Sequence, residues 1–366
     1  MSGKTKHYFA GGNTARGFHS LYESNLHGLE RLYILKGGPG TGKSTLMKKV
    51  GKEWVEKGFD IQLLHCSSDP ESIDGVIVTD LKVGIVDGTA PHVIEPKAPG
   101  AIEEYINLGS AWDSQILSQS KQEIMKLSSE ISVAFEDAYS LFASALAVHD
   151  EWEEIYIANL DFQKVNKLTE KLKDTFFGEI FINKTSEIRH RFLGAATPIG
   201  AVDYVPNLTE DIAKRYFLKG RPGSGKSTML KKLALEAEQR GFDVEIYHCG
   251  FDPNSLDMVI MREIGVAIFD STAPHEYFPS RQGDEIVDIY QEAILPGTDE
   301  IYSDQIQDIS TRYRTKMNEA TQSLARAKSL HDELEDIYIR AMDFSEIDRI
   351  YNSIRDKVEQ IAQPFI

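Results

Sequence analysis

Short apolar runs alternate with amphipathic segments along this chain, and the order occurs twice. Residues 32–35 and 61–65 have the composition of buried strands, and residues 46–57 have the apolar spacing of a helix. The second half repeats this order at residues 216–218, 244–248 and 229–240. Strands separated by a helix favour a parallel sheet with right-handed crossovers. The pattern therefore predicts an α/β fold in each half.

Two further positions in each half mark the same edge of the predicted sheet. Asp69-Pro70 and Asp252-Pro253 follow the second strand, where we expect a turn and then a short helix. A later apolar strand ends at Asp87 or Asp270. Ligands of parallel sheets bind at the carboxyl ends of the strands, so these aspartates are placed where a site is expected.

The last third of each half has a different pattern. Apolar residues recur at alternating spacings of three and four between positions 124 and 155, and less regularly between 306 and 337. This heptad pattern predicts one long helix, a turn at Asp161 or Asp343, and a shorter returning helix. Two placements stay open: a hairpin packed on its own domain or its twin, or a protruding arm that binds a protein partner.

Two glycine-rich loops fit the pattern G-x-x-x-x-G-K-[ST], and their lysines are 183 residues apart. The glycines let successive backbone N–H groups point at phosphate oxygens, and the following helix adds its positive N-terminal end. The candidate nucleotide-binding residues are Gly38, Pro39, Gly40, Thr41, Gly42, Lys43, Ser44 and Thr45 in the first loop and Arg221, Pro222, Gly223, Ser224, Gly225, Lys226, Ser227 and Thr228 in the second.

The expected roles follow from the chemistry of the motif. Lys43 and Lys226 would reach the β- and γ-phosphates of a bound nucleotide. Hydroxyl and carboxylate oxygens suit Mg²⁺, and the strand-end aspartates have the position of Walker B acids. The predicted Mg²⁺ ligands are Ser44, Asp87, Ser227 and Asp270. Two tandem P-loop domains are therefore expected, with mostly parallel sheets and a helical hairpin each, over residues 1–183 and 184–366.

Candidates for the chemical step are less specific. Asp69 and Asp252 are candidate general bases, with a turn-capping role before proline as the alternative. No acidic residue directly follows the strand-end aspartates. His92 and His275 come after a proline there, and they either orient the attacking group and sense the γ-phosphate or are structural. The runs at 149–151 and 331–333, each His-Asp-Glu, fall on the long helices and are interpreted as a solvated face, with a domain contact as the alternative.

The bulk properties narrow the class of protein. A net charge of −17 argues against broad nucleic-acid or acidic-membrane binding. No stretch of the sequence is expected to cross a bilayer, and the N-terminal residues lack the apolar core of a secretion signal. Cys66 and Cys249 occupy matching places in the two halves, which disfavours a disulfide framework. We therefore expect a cytoplasmic protein that is a pseudo-dimer within one chain.

The motifs resemble those of P-loop NTPases, and more closely those of an uncharacterised family of tandem-P-loop ATPases from spore-forming Gram-positive bacteria. The shared motifs are the two G-x-P-G-[TS]-G-K-S-T loops, the H-C-x-x-D-P segments and the D-[GS]-T-A-P-H segments. The resemblance covers the whole chain and implies ATP binding without supplying a substrate. ATP is favoured over GTP because the guanine-reading N-K-x-D pattern is absent from the sequence.

Three functions remain open on the sequence. The first is a Mg²⁺-dependent ATPase whose two sites move helical arms. The second is a small-molecule or nucleotide kinase, with Asp69 or Asp252 as the base and the helices as a lid. The third is a non-enzymatic, ATP-responsive scaffold.

Overall fold

The computed structural model describes residues 2–365 and has α/β architecture. The first half contains β1 (Thr5–Phe9), β2 (Gly11–Thr14), β3 (Gly17–Ser20), α1 (Tyr22–Leu26), β4 (Arg31–Lys36), α2 (Lys43–Glu56), β5 (Ile61–His65), β6 (Ile73–Val78), β7 (Val83–Asp87), β8 (Glu103–Asn107), α3 (Ser114–Gln119), α4 (Lys121–Ala158) and α5 (Phe162–Phe177). The second half contains β9 (Ile188–Phe192), β10 (Gly194–Thr197), β11 (Gly200–Asp203), α6 (Val205–Leu208), β12 (Lys214–Lys219), α7 (Lys226–Gln239), β13 (Val244–His248), β14 (Leu256–Met261), β15 (Val266–Asp270), β16 (Asp284–Asp288), α8 (Ile289–Ala293), α9 (Thr298–Ile301), α10 (Ser303–Ile339) and α11 (Phe344–Ala362). Short 3-10 turns cover Leu108–Ala111, Arg262–Ile264 and Gln363–Phe365.

One mixed, mostly parallel sheet runs through both halves. Its strand order is β16-β12-β15-β14-β13-β9-β1-β5-β6-β7-β4-β8. The halves join where β1 and β9 pair antiparallel at Phe9 and Phe192, both fully buried. A smaller sheet, β11-β10-β2-β3, crosses the same junction through the pairing of Asn13 with Ala196. The pairing across both junctions makes each sheet continuous between the halves.

The apolar runs of the sequence account for most strands. The strands predicted at 61–65 and 244–248 have these bounds in the structure, as β5 and β13, and the α/β class is confirmed. The helices predicted at 46–57 and 229–240 begin earlier, at Lys43 and Lys226, directly after glycines with positive φ. The glycine conformation allows the chain to turn from strand into helix at the motif itself.

The prediction of a short helix after Asp69-Pro70 is wrong, and so is the same prediction after Asp252-Pro253. The chain instead forms β6 and β14, which run antiparallel between their neighbours in the sheet. Every residue of both strands is buried, including Asp74 and Asp257. The apolar and β-branched residues of these strands favour a sheet interior, and this outweighs the helix signal that a turn aspartate gives.

The shorter C-terminal helices cross between the halves. α5, from the first half, packs with Leu172 and Phe177 in the core of the second half, against α7. α11 likewise packs Ile354 and Val358 in the core of the first half, against α2. Lys57, which directly follows α2, also forms an ion pair with Glu359 of α11 at 3.0 Å. Each α/β core therefore contains a helix from the other half of the sequence, and the boundary between 183 and 184 stays a prediction about the sequence.

The two long helices pack on each other. α4 and α10 run antiparallel, with Phe142 and Leu324 in a core that also includes Ala15 of the small sheet. Arg312 of α10 donates to Glu151 of α4 at 2.6 Å. Asp161 and Asp343 cap α5 and α11 at the predicted turns. The returning helices pack on the opposite cores, so a hairpin of two mutually packed helices is not confirmed.

One sequence expectation about membranes needs correction. α4 is long and apolar enough to cross a bilayer by length and composition. A single helix of this kind is weak evidence for a membrane span. Its apolar window is 28 % buried, and α4 lies along α10.

Candidate functional site

The two glycine-rich loops connect β4 to α2 and β12 to α7. Gly40 and Gly42 have φ values of 64° and 83°, and their counterparts Gly223 and Gly225 have 72° and 90°. Residues that have a side chain rarely adopt these positive φ values, so glycine is required at each position. The two loops thus share one backbone path, which ends at the N-terminus of a helix of 14 residues.

The lysine of each loop lies beside the aspartate that ends the neighbouring strand. Lys43 Nζ donates to the carbonyl oxygens of Gly37 and Gly38 at 3.0 and 2.8 Å and lies 3.6 Å from Asp87 Oδ2. In the second loop, Lys226 Nζ lies 3.4 Å from Asp270 Oδ2. The pairs form because β4 and β12 have β7 and β15 as direct parallel neighbours. The sheet therefore brings together the predicted phosphate and Mg²⁺ residues.

The predicted Mg²⁺ ligands have oxygens oriented by the backbone. Ser44 Oγ accepts from the N–H of Ile73 at 3.0 Å, which leaves its second lone pair free for a ligand. Asp87 Oδ1 accepts from the N–H and the hydroxyl of Thr89 at 2.8 and 2.6 Å. Oxygen donors of this kind suit a hard cation such as Mg²⁺. Ser227 and Asp270 have matching bonds from Leu256 and Thr272, so the donor chemistry of both loops fits the ion.

The two proposed general bases are held in turns. Asp69 accepts from the N–H of Glu71 and the hydroxyl of Ser72 and lies 3.6 Å from Lys328 Nζ on α10. Asp252 caps the equivalent turn and bonds Arg16 Nε of the first half at 2.8 Å. Both carboxylates thus cap turns, which is the alternative role that the sequence left open. Each also forms an ion pair with a cation from the opposite half of the chain. These contacts oppose a role as proton acceptor.

His92 belongs to a buried polar cluster in the first half. Its Nε2 lies 3.4 Å from Asp74 Oδ2, which also accepts from the hydroxyl of Tyr22 at 3.0 Å. Burial lowers the pKa of His92, but the charge and hydrogen bond of Asp74, together with the charge of Asp87, outweigh burial and leave the pKa raised. Burial raises the pKa of Asp74, and His92 and Tyr22 outweigh it, so the net pKa is lowered. Asp74 lies on β6, a strand that the apolar pattern of the sequence did not predict.

His275 has a different partner in the second half. Its Nδ1 lies 2.7 Å from Asp203 Oδ2, and the hydroxyl of Tyr277 donates to Asp203 Oδ1 at 2.6 Å. The hydrogen bond to Asp203 raises the pKa of His275 against the opposing effect of burial. Asp257, at the place equivalent to Asp74, is buried near Asp270, and burial with that repulsion raises its pKa to about 6. The two halves therefore differ in their acid–histidine pairs.

Residues of the long helices lie directly over the opposite loops. Glu335 Oε1, on α10, accepts from the N–H of Gly40 at 3.3 Å. At the second loop, an added Cβ on Gly223 would lie 2.6 Å from the carbonyl oxygen of Glu153 on α4. The contacting glutamates lie two residues beyond the His-Asp-Glu runs, so the runs lie beside the domain contact that the sequence kept as an alternative to a solvated face. Recurrence of the run at equivalent places was the one signal for this contact.

Each of these helix clusters also has the composition of a weak cation site. His149, Asp150 and Glu153 bring one ligand atom each within 4.8 Å of one another. The matching cluster on α10 is His331, Asp332 and Glu335. Exposed acidic groups are common without an ion, so these clusters alone define no metal centre.

Arg221 is the one residue of the second loop that departs from the first in charge. It donates to Asp299 Oδ2 at 2.7 Å from Nη2, and Asp299 also accepts from the hydroxyl of Tyr156. The first loop has Gly38 here, and an added Cβ would meet the ring of Tyr338 at 2.8 Å. In the structure, Arg221 thus connects the second loop to Asp299. Its predicted role in nucleotide binding stays a prediction.

A cavity of about 1130 Å³ opens beside the second loop. Its wall includes Gly220–Thr228 of the loop together with Asp252, Asp257, Asp270 and His275. α4 and α10 close the other side, so the wall combines both halves of the chain. The cavity exceeds the usual range for small-molecule sites, about 300–1,000 Å³, and gives the second loop room for a phosphorylated ligand and a second group.

Comparisons with known proteins add no assignment. No protein-family model, curated protein or solved structure matches this chain. The resemblance to tandem-P-loop ATPases therefore remains an expectation, and the function has to be argued from the residues of the two loops.

Proposed function

We propose that this chain binds magnesium nucleoside triphosphate at both glycine-rich loops and hydrolyses it, with ATP as the favoured nucleotide. The observation that supports this most is the convergence of a loop lysine, a helix-start serine and a strand-end aspartate, found twice with the same geometry. A chance glycine turn would not combine these three groups at both places.

The loop residues have separable tasks in this proposal. The backbone N–H groups around Gly40 and Gly223 hold phosphate oxygens at a helix N-terminus. Lys43 and Lys226 exchange their carbonyl contacts for the β- and γ-phosphates. Ser44 and Asp87, with Ser227 and Asp270, would hold Mg²⁺, which supplies neutralisation of the charge that develops on the phosphates.

In this proposal, the acid–histidine pairs orient the attacking water. His275 lines the cavity of the second loop, and Asp203 holds its imidazole through Nδ1. An imidazole fixed in this way presents Nε2 for a hydrogen bond to water. We therefore assign His275 to positioning of the attacking water at the second loop. His92 contacts Asp74 through Nε2, so at the first loop its Nδ1 would have to serve this task.

A kinase is the second candidate, because the cavity of the second loop has room for an acceptor next to Asp252 and Asp257. Asp257 has a pKa of about 6, in the range of a general base. Transfer of labelled phosphate from ATP to a nucleoside or metabolite, with little release in its absence, would favour this function over hydrolysis.

Phosphate release from Mg-ATP tests the main proposal. The Lys43→Ala/Lys226→Ala protein serves as the blank, and the single variants report one site each. Release above the blank is the expected result. Tight ATP binding without release, in the presence of an acceptor panel, would replace hydrolysis by an ATP-responsive scaffold.

A further inference from the structure

Four aromatic side chains meet in the cavity beside the second loop. His149 and Trp152 come from α4, Tyr313 from α10 and Phe251 from the segment after β13. The ring centroid of Tyr313 lies 5.7 Å from His149, 6.2 Å from Trp152 and 5.8 Å from Phe251. These four residues are called the aromatic cluster below.

The rings of the aromatic cluster do not stack on one another. The interplanar angles of Tyr313 with His149, Trp152 and Phe251 are 50°, 64° and 86°. All four residues line the cavity, so the cluster offers ring surface to a ligand as well as to its own core. A flat ligand would suit this ring surface.

The aromatic cluster lies within reach of the phosphate-binding elements. Glu153, next to Trp152, contacts Gly223 of the second loop. Lys226 and Asp252 line the same cavity, and both influence the pKa of His149, which burial lowers. One ligand can therefore contact the loop with its phosphates and the rings with a planar group.

The first half does not repeat these rings. In the repeat of the sequence, Phe251 corresponds to Ser68, Trp152 to Leu334 and Tyr313 to Ile131; only the histidine recurs, as His331. The first half has the same α/β core and loop geometry without these rings. The aromatic cluster is thus specific to the second loop and is not needed to form the fold around such a loop.

We propose that the aromatic cluster binds a nucleobase in the cavity of the second loop, a specificity that the first loop lacks. Stacking of a base on aromatic rings tolerates any base, because every base has a π-face. The inference rests on the proposed phosphate binding at Gly220–Thr228. The base belongs either to the bound triphosphate or to a separate nucleoside, and the two sources share this chemistry.

Calorimetric titration with ATP and with tripolyphosphate, which has no base, tests the inference. Lys43→Ala protein reports the second loop and Lys226→Ala protein reports the first. We expect the second loop to bind ATP at least about tenfold more tightly than tripolyphosphate, and the first loop to show a preference below about threefold. Adenosine titrated into the tripolyphosphate complex of Lys43→Ala protein detects a separate nucleoside.

Exchange variants supply the matched control. Tyr313→Ile and Phe251→Ser place first-half residues at second-half positions, and unchanged melting temperatures would establish that the variants fold. We expect them to abolish the preference for ATP, or the binding of adenosine, while tripolyphosphate affinity is kept. Equal binding of ATP and tripolyphosphate without adenosine binding would overturn the inference alone, as would a preference that survives in both variants. Absence of binding by all three probes would overturn the phosphate proposal and the inference with it.

Discussion

At the scale of single residues, the first loop is already engaged by a carboxylate. Glu335 accepts from the N–H of Gly40, which is one of the groups assigned to phosphate. An anion from the opposite half therefore occupies a position where a phosphate oxygen is expected. Glu153 is the counterpart on α4, and it meets Gly223 through its backbone. The side chains of the two glutamates thus affect the loops differently.

Replacing Glu335 by glutamine should tighten phosphate binding at the first loop. Loss of one competing charge is expected to improve tripolyphosphate affinity about fivefold, equivalent to about 1 kcal/mol. Calorimetry on Lys226→Ala protein measures this affinity. Glu153→Gln, measured at the second loop in Lys43→Ala protein, is the matched control and should change affinity less than twofold. Equal effects of both changes would contradict a specific role for the Glu335 contact.

Two pairs of partly buried histidines predict how stability depends on pH. His7 Nδ1 lies 2.9 Å from His65 Nε2, and His190 and His248 form the same pair in the second half. Burial and the neighbouring imidazole lower the pKa of His65 to about 4. Because the folded pKa is below that of the unfolded chain, the stabilisation is present above about pH 6.5 and is lost as the pH falls toward 4.

His65→Gln should therefore weaken this pH dependence. Between pH 7 and pH 5, wild-type protein should lose about 2 kcal/mol more of its free energy of unfolding than the variant. Urea unfolding at the two pH values measures the difference. His27→Gln, at an exposed histidine, should follow the wild type. A variant with the wild-type slope would show that folding does not lower the pKa of His65.

At the scale of elements, α5 and α11 pack in the core of the opposite half and so connect each loop to the other half of the sequence; they are called the crossed helices below. α11 follows α10, which lies over the first loop, and its Ile354 is buried in the first core at 1 % exposure. α5 follows α4, which lies over the second loop, and places Leu172 in the second core. Each long helix therefore contacts one loop directly and is joined to the core beside that loop by the helix that follows it.

Truncation of α11 and α5 side chains should have effects in the opposite half. Ile354→Ala should destabilise the protein by about 2–5 kcal/mol and increase amide exchange in α2 more than in α7. Leu172→Ala, the matched change in α5, should show the reverse order. Hydrogen exchange with mass spectrometry distinguishes the two helices. Faster exchange in α7 for Ile354→Ala would contradict the crossed packing.

At the scale of the whole molecule, the sequence repeats are not independent in their packing. The larger sheet passes from one half to the other through β1 and β9, and each core includes a helix from the other half. We expect one cooperative unfolding transition for the complete chain because separation of the halves would expose both cores.

Separate expression of residues 1–183 and 184–366 tests this interdependence. Each fragment lacks the helix that completes its core, so each alone should associate with itself or aggregate, and a mixture should form a one-to-one complex. Light scattering coupled to gel filtration measures these masses. Stable folded monomers of both fragments would show that each helix can return to its own half.

The candidate phosphate residues could be predicted from the sequence, whereas their partners could not. The motif places Lys43 and Ser44 by local geometry, since a glycine turn followed by a helix fixes them within a few residues. Asp87 was predicted as the end of an apolar strand, and the adjacency of β4 and β7 brings it beside Lys43. The contacts of Glu335, Arg16 and the crossed helices depend on long-range packing. The periodicity of the sequence does not predict which distant elements pack together.

The sequence by itself determined the repeat, the α/β class, the two loops and the lengths of the long helices, because these depend on local patterns of apolar residues and glycine. Only the tertiary structure decided that β6 and β14 are buried strands, that α5 and α11 exchange places, and that the cavity of the second loop is closed by both halves. The two α/β cores are similar in composition, so the composition alone does not decide which of them α5 or α11 packs against. The path of α4 and α10 across the molecule selects the partner, because each long helix ends at the opposite half.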